Sequence, residues 1–206
     1  MENKIKIKSS KTLLDYRFLK QNNDIFIETG SAAGDGIKRA LDAGFDSVCS
    51  IEAHAGWFEK CLERFGKNTK VKLIYGKSTD KLKTAIEIFN IGNLNFVFYP
   101  NFVFYLDAHA SGEASASHKE LMEFGPDSEY SQDNIIKAEL DIILAEKPNS
   151  VIVIDDVNGL DDGHAVEYCE KMLAANPHFK FYFFDENLSG KMEYYYEDKL
   201  LVALPY

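Results

Sequence analysis

The residues of this chain best suited to chemistry are carboxylates at the ends of predicted strands, together with one glycine-rich turn. Glu28, Glu52, Asp107 and the pair Asp155-Asp156 each close a short apolar run. An ionised carboxylate accepts hydrogen bonds only, so such groups suit hydroxyls, ammonium groups and hard cations. The turn is Asp24-Ile-Phe-Ile-Glu28-Thr-Gly30-Ser-Ala-Ala-Gly34-Asp-Gly36-Ile37. A buried strand running into glycines and then a helix is the opening of a nucleotide-binding doubly wound sheet. The glycines permit a sharp bend and a close backbone approach. The helix N-terminus that follows presents unpaired N–H groups. His109, two residues past Asp107, is a ligand, a general base near neutral pH or a locally bonded loop histidine.

These groups need elements to position them, and the hydrophobic pattern supplies alternating strands and helices. The first strand is read at about 24–28 and its helix at 35–43, closed by Gly44. A second strand at 47–52 leads into a helix over 55–65, where Trp57, Phe58, Cys61, Leu62 and Phe65 recur at helical spacing. A third strand at 71–75 stops at Gly76 before a helix at 79–89. Residues 95–106 hold a tandem repeat, Asn-Phe-Val-Phe-Tyr-Pro followed by Asn-Phe-Val-Phe-Tyr-Leu. Pro100 lacks the N–H that a central ladder requires, so the second copy is assigned as the central strand. A polar stretch at 110–131 reads as a long loop over the active site. A helix at 135–146, a fifth buried strand at 150–154 and a helix at 164–175 follow. Stretches 179–184, 191–197 and 199–204 read as C-terminal strands. Residues 1–23 read as a lead-in with a short helix near 13–21, and Lys4, Lys6, Lys8 and Lys11 as a solvated arm.

Bulk properties narrow the function. The 206 residues suffice for one domain with a full core. No apolar run approaches the roughly 20 residues that span a bilayer, and no signal-peptide core is present. A net charge of −10 argues against a nucleic-acid partner and weakly favours a small neutral or cationic substrate. Cys49, Cys61 and Cys169 are scattered, as suits a reducing cytoplasm.

The glycine turn after strand one, Glu52 ending strand two and Asp107 ending strand four together resemble class I S-adenosylmethionine-dependent methyltransferases. Ile-Glu-Thr-Gly, Leu-Asp-Ala-His-Ala-Ser-Gly and Val-Ile-Asp-Asp resemble a poorly characterised branch of that superfamily. The likeness covers about residues 24–204. It implies an α/β fold: a Rossmann-like, doubly wound, seven-stranded mixed sheet with the last strand antiparallel and helices on both faces. S-adenosylmethionine would lie over the carboxyl ends of the strands. The resemblance gives Glu28 the cofactor's ammonium, directly or through water, Gly30, Ser31 and Gly34 the close approach to methionine and ribose, and Thr29 a further cofactor contact. Glu52 takes the ribose hydroxyls, two acceptors for two donors. Ala53, His54 and Trp57 flank the adenine, although Trp57 serves equally as core. Many relatives carry an acid after the third strand's glycine; here Gly76-Lys77-Ser78 stands instead, and Ser78 or Asp80 is available to substitute.

Small-molecule O-methyltransferases of the catechol and macrocin types place divalent-metal ligands at the ends of strands four and five. By that likeness Asp107, Asp155 and Asp156, with Asn158 as a further ligand, would hold Mg²⁺. The metal would activate an acceptor hydroxyl. The alternative is that Asp155 or Asp156 caps the next segment. Asp107 and His109 are then the candidate catalytic groups, acting on a small-molecule acceptor. A homodimer is compatible with the sequence but is not specified by it.

Two rivals stand beside this. Thr29-Gly30-xxx-Gly34-x-Gly36 also matches the turn of short-chain dehydrogenases, which would require a Tyr-xxx-Lys pair on a mid-chain helix. Only Tyr16/Lys20 and Tyr195/Lys199 have that spacing. The other rival is a methyltransferase-fold module that binds a cofactor or partner without turnover.

Overall fold

A computed structural model describes residues 7–90, 101–108, 131–157, 163–185 and 199–206. In chain order its elements are β1 (Ile7–Leu13), α1 (Tyr16–Lys20), β2 (Ile25–Thr29), α2 (Asp35–Asp42) and β3 (Ser47–Glu52). Then come α3 (Ala55–Phe65), β4 (Val71–Tyr75), α4 (Ser78–Asn90), β5 (Phe102–Leu106) and α5 (Gln132–Glu146). The chain continues through β6 (Val151–Ile154), α6 (Gly163–Ala175), β7 (Phe179–Asp185) and β8 (Lys199–Pro205).

The strands form one sheet in the order β1-β7-β8-β6-β5-β2-β3-β4. β8 runs antiparallel to both β6 and β7, and the other pairings are parallel. Strands β2 to β8 are the expected seven-stranded mixed sheet with its last strand reversed. An eighth strand adds to it. The segment read as a lead-in and basic arm carries β1, which pairs with β7 at the sheet edge. Its sequence, Ile-Lys-Ser-Ser-Lys-Thr-Leu, is too polar to signal a buried strand. An edge strand needs only its backbone ladder, and lysines are common there.

Parallel strands covered on both faces must be apolar on both sides, and β2, β5 and β6 are buried at every position. The period of two sends their side chains to two cores. Ile25, Ile27, Phe102, Phe104, Ile152 and Ile154 pack against α4, α5 and α6 through residues such as Leu82, Leu140 and Met172. Phe26, Val48, Val103 and Val153 pack against α1, α2 and α3 through Leu19, Ile37, Ala40 and Cys61. The second copy of the tandem repeat supplies β5, which pairs with β2 on one side and β6 on the other. Its Asn101 side-chain amide donates to the Asn22 carbonyl at 2.6 Å, anchoring the strand's start. The first copy and the 191–197 strand lie outside the described residues. So does the 110–131 loop, apart from Ser131, which N-caps α5 by accepting from the Asn134 N–H at 3.3 Å.

Candidate functional site

β2 stands between β3 and β5, and the chain winds away from it in both directions. Ligands of open α/β sheets bind outside the carboxyl ends of the strands at such a switch point. Here that position is the turn between β2 and α2, bordered by the ends of β3 and β5.

Gly30 leaves β2 with φ +80° and donates its N–H to the Ile51 carbonyl at 2.9 Å. A Cβ at this position would stand 2.3 Å from the Asp107 carbonyl oxygen. Glycine is therefore required here by the backbone's own packing as well as by its φ. On the other side the Asp107 N–H donates to the Thr29 carbonyl at 3.0 Å and reaches Thr29 Oγ1 at 3.3 Å, pinning the end of β5 to the end of β2. Gly34 closes the turn, donating to the Ser31 carbonyl at 2.7 Å, and precedes α2.

Two carboxylates hold this turn from different sides. Glu52, at the end of β3, accepts the Ala32 N–H on Oε2 at 2.9 Å and the His54 N–H on Oε1 at 2.7 Å. A carboxylate has lone pairs for about four hydrogen bonds, so both oxygens keep accepting capacity. Glu28 lies beneath the turn, 3% exposed. Ser50 Oγ donates to its Oε2 at 2.6 Å, and Ser50 and Ser31 share a hydrogen bond of 2.5 Å. Its Oε1 packs so closely on Gly36 that a Cβ there would fall 1.6 Å away. Burial, foremost, pushes the Glu28 carboxyl up to about 8; the charges of Asp107 and Glu52 add to this, while the Ser50 bond and Arg39 oppose it.

α3 closes the turn from outside. Cys61 Sγ contacts the Ala32 carbonyl at 3.3 Å, and the Arg64 guanidinium bonds the Ala33 carbonyl and, at 3.2 Å, Asp35. His54 N-caps α3, its Nδ1 accepting from the Trp57 N–H at 3.3 Å, and the Lys60 ammonium covers the Trp57 ring at 3.9 Å. Ala53, between Glu52 and His54, is half-buried. Ser78 is buried as the first residue of α4, after Gly76 has bonded the Glu52 carbonyl at 2.9 Å. The fold thus gathers Glu28, Thr29, Gly30, Ser31, Gly34, Glu52, Ala53, His54, Ser78 and Asp107 around one sheet edge.

The described residues do not assemble the expected metal centre. The Asp155 N–H bonds the Leu106 carbonyl at 3.0 Å, so the strand ends meet, but the carboxylate turns into the fold. Its Oδ2 accepts from the Tyr105 hydroxyl at 2.8 Å and its Oδ1 from the Asp156 N–H at 2.7 Å. Asp156 takes φ +54°, the strained turn that lets its neighbour cap it. No group of three His, Cys, Asp or Glu side chains among the described residues is arranged for a metal. His109 and Asn158 lie outside those residues.

Ser50 and Tyr105 were missed as functional neighbours. The available signal was a polar residue inside an apolar strand, whose partners depend on strand register. The dehydrogenase pair Tyr16/Lys20 is used structurally: Tyr16 is core, and Lys20 bonds Asp46 at 3.1 Å. A wholly parallel dinucleotide-binding sheet also lacks the reversed strand found between β6 and β7. No helix among the described residues is long and apolar enough to cross a membrane.

No protein-family model matches the chain, and no curated protein matches it significantly. Solved structures do. The O-methyltransferase TomG of Streptomyces achromogenes, involved in tomaymycin synthesis and solved with S-adenosylmethionine, aligns at TM-score 0.50 and 16% identity over 93% of this chain and 76% of its own. An O-methyltransferase of Bacillus cereus in complex with S-adenosylhomocysteine aligns at 0.50 and 15%, covering 91% and 79%. The fibrillarin pre-rRNA processing protein of Methanococcus jannaschii aligns at 0.54 and 15%, covering 95% and 70%. Such identities establish a fold. The chain has the Rossmann-like fold of class I S-adenosylmethionine-dependent methyltransferases.

Proposed function

We propose that the protein is an S-adenosylmethionine-dependent methyltransferase acting on an oxygen of a small-molecule acceptor. The observation that carries this is the bond from the Ala32 N–H to Glu52 Oε2, 2.9 Å, which brings the acid of β3 onto the glycine turn at the switch point. An acid able to accept from a diol and a close-approach turn then adjoin one another, the pairing that an adenosyl ligand calls for.

Bound there, S-adenosylmethionine would supply an electrophilic sulfonium methyl for an acceptor oxygen held in line with it. The chain's residues bind and orient. Glu52 accepts from the ribose hydroxyls, and the backbone of Gly30, Ser31 and Gly34 admits the ligand's approach. Ala53, His54 and Ser78 border the adenine side. Asp107, half-buried after β5, and Glu28, beneath the turn, are the acids on the ammonium side. Holding acceptor and methyl in line contributes most of the rate, and His109 is the base available to an acceptor hydroxyl. No step is routed through a metal; Asp155 Oδ2 accepts from Tyr105 and its Oδ1 from the Asp156 N–H. Three buried free cysteines fit a reducing compartment.

Calorimetric titration with S-adenosylmethionine, S-adenosylhomocysteine and NADP⁺ tests the reading. The first two should bind, and Glu52→Ala should weaken them about tenfold or more. Binding of NADP⁺ alone would refute it. Cofactor binding with no methyl transfer to any screened hydroxyl compound would favour a non-catalytic module.

A further inference from the structure

Beneath the turn runs a chain of hydroxyls that the roles above do not use. Ser50 is fully buried in β3 and stands opposite Glu28 in register. Its Oγ donates to Glu28 Oε2 at 2.6 Å and meets Ser31 Oγ at 2.5 Å. A serine hydroxyl has one proton. With Glu28 ionised, Ser50 gives its proton to Glu28 and must accept from Ser31, whose proton is then committed as well. The direction of the chain is therefore set by the charge on Glu28. A neutral Glu28 carboxyl has a proton of its own to give; Ser50 can then turn and donate to Ser31, whose hydroxyl proton is released.

Ser31 is where that change reaches the ligand side. Its carbonyl accepts from Gly34, and the next residue, Ala32, donates to Glu52. The charges that act on Glu28 are Arg39 of α2, Glu52 of β3 and Asp107 after β5; Tyr16 of α1, Cys49 of β3 and Cys61 of α3 feel its charge in turn, and Tyr105 of β5 is its register partner. Arg39 is the cation among them. Burial outweighs it and brings the neutral and charged forms of Glu28 within reach near neutral pH.

We propose that Ser50 is a positioning residue of this site, passing the charge state of buried Glu28 to Ser31 so that the turn's hold on the cofactor follows it. The inference rests on the cofactor reading above. S-adenosylhomocysteine is the probe, titrated calorimetrically into wild type, Ser50→Ala and Glu28→Gln across about pH 6.5 to 9.5. Two buffers of different ionisation enthalpy count the protons moved on binding. The free probe's amino group titrates identically in all three titrations.

Wild-type affinity should vary across that range at least about threefold more than in Glu28→Gln. Wild type should also exchange a fraction of a proton that both variants lack. Ser50→Ala should bind more weakly and follow the flattened profile, because Glu28 still titrates but no longer reaches Ser31. A folded Ser50→Ala with wild-type affinity, pH profile and proton count overturns the proposal, as does a Glu28→Gln profile identical to wild type. Should Ser50→Ala fold poorly, Ser31→Ala breaks the other end of the chain and is read the same way. Failure of wild type to bind the probe at every pH overturns the cofactor reading itself, a result distinct from a flat profile.

Discussion

Replacing Gly36 by alanine tests how the turn is held, because helix propensity and packing predict opposite signs. Gly36 lies in the first turn of α2. By propensity alone alanine stabilises a helix interior by about 1 kcal/mol over glycine. The surroundings reverse this. A Cβ would stand 1.6 Å from Glu28 Oε1 and 2.8 Å from its carboxyl carbon, so the carboxyl must retreat by roughly 2 Å to restore ordinary contact. It has nowhere free to go, being buried and bonded to Ser50. Breaking that bond costs about 1.5–3 kcal/mol, which leaves a net loss of about 0.5–2 kcal/mol after the propensity gain. In a chain of this size each kcal/mol lowers Tm by about 2–4 °C. Urea unfolding of wild type, Gly36→Ala, Glu28→Ala and the double variant completes the cycle. With Glu28 truncated the space is open, and Gly36→Ala should become neutral or stabilising by up to about 1 kcal/mol. The coupling energy is then about 2 kcal/mol. A stabilised Gly36→Ala in the wild-type background, or coupling near zero, would refute the reasoning.

Two further expectations concern the same buried face. Glu28 is protonated in the folded state up to about pH 8 but ionised in the unfolded chain above 4.5. The stability it contributes is therefore full below the ordinary carboxyl range, declines as pH rises toward 8 and is flat above it. Subtracting the Tm–pH curve of Glu28→Gln from that of wild type should show this decline; parallel curves would count against the burial argument. Tyr105→Phe removes the hydroxyl that donates to Asp155 at 2.8 Å and should cost about 1.5–3 kcal/mol in denaturant unfolding, because a charged, buried acceptor loses its donor. A cost under about 0.5 kcal/mol would mean that Asp155 does not depend on Tyr105.

Much of this protein was legible in order along the chain. Short apolar runs and helical spacing locate β3, α3 and β4 at their observed bounds, since these signals lie within a few consecutive residues. Pro100 was sufficient to choose the second repeat copy as the central strand, because a missing N–H is a property of one residue. Glu28, Glu52, Asp107 and the glycines were recognisable as strand ends and a turn. β1 escaped notice because backbone pairing at an edge leaves no apolar signature.

The sequence by itself determined which groups stand at the carboxyl edge of the sheet, since that follows from where each strand stops. Only the tertiary structure decided what they touch. Register places Ser50 opposite Glu28, and packing sets the Glu28 carboxyl against Gly36, so the acid that ends the strand lies buried beneath the turn. Likewise Asp155 and Asp156 read as a metal pair along the chain. Tyr105, 50 residues earlier, claims one oxygen of Asp155, and the Asp156 N–H claims the other. A strand end fixes a carboxylate's position by local periodicity, but its partners come from neighbouring strands whose alignment no local pattern encodes.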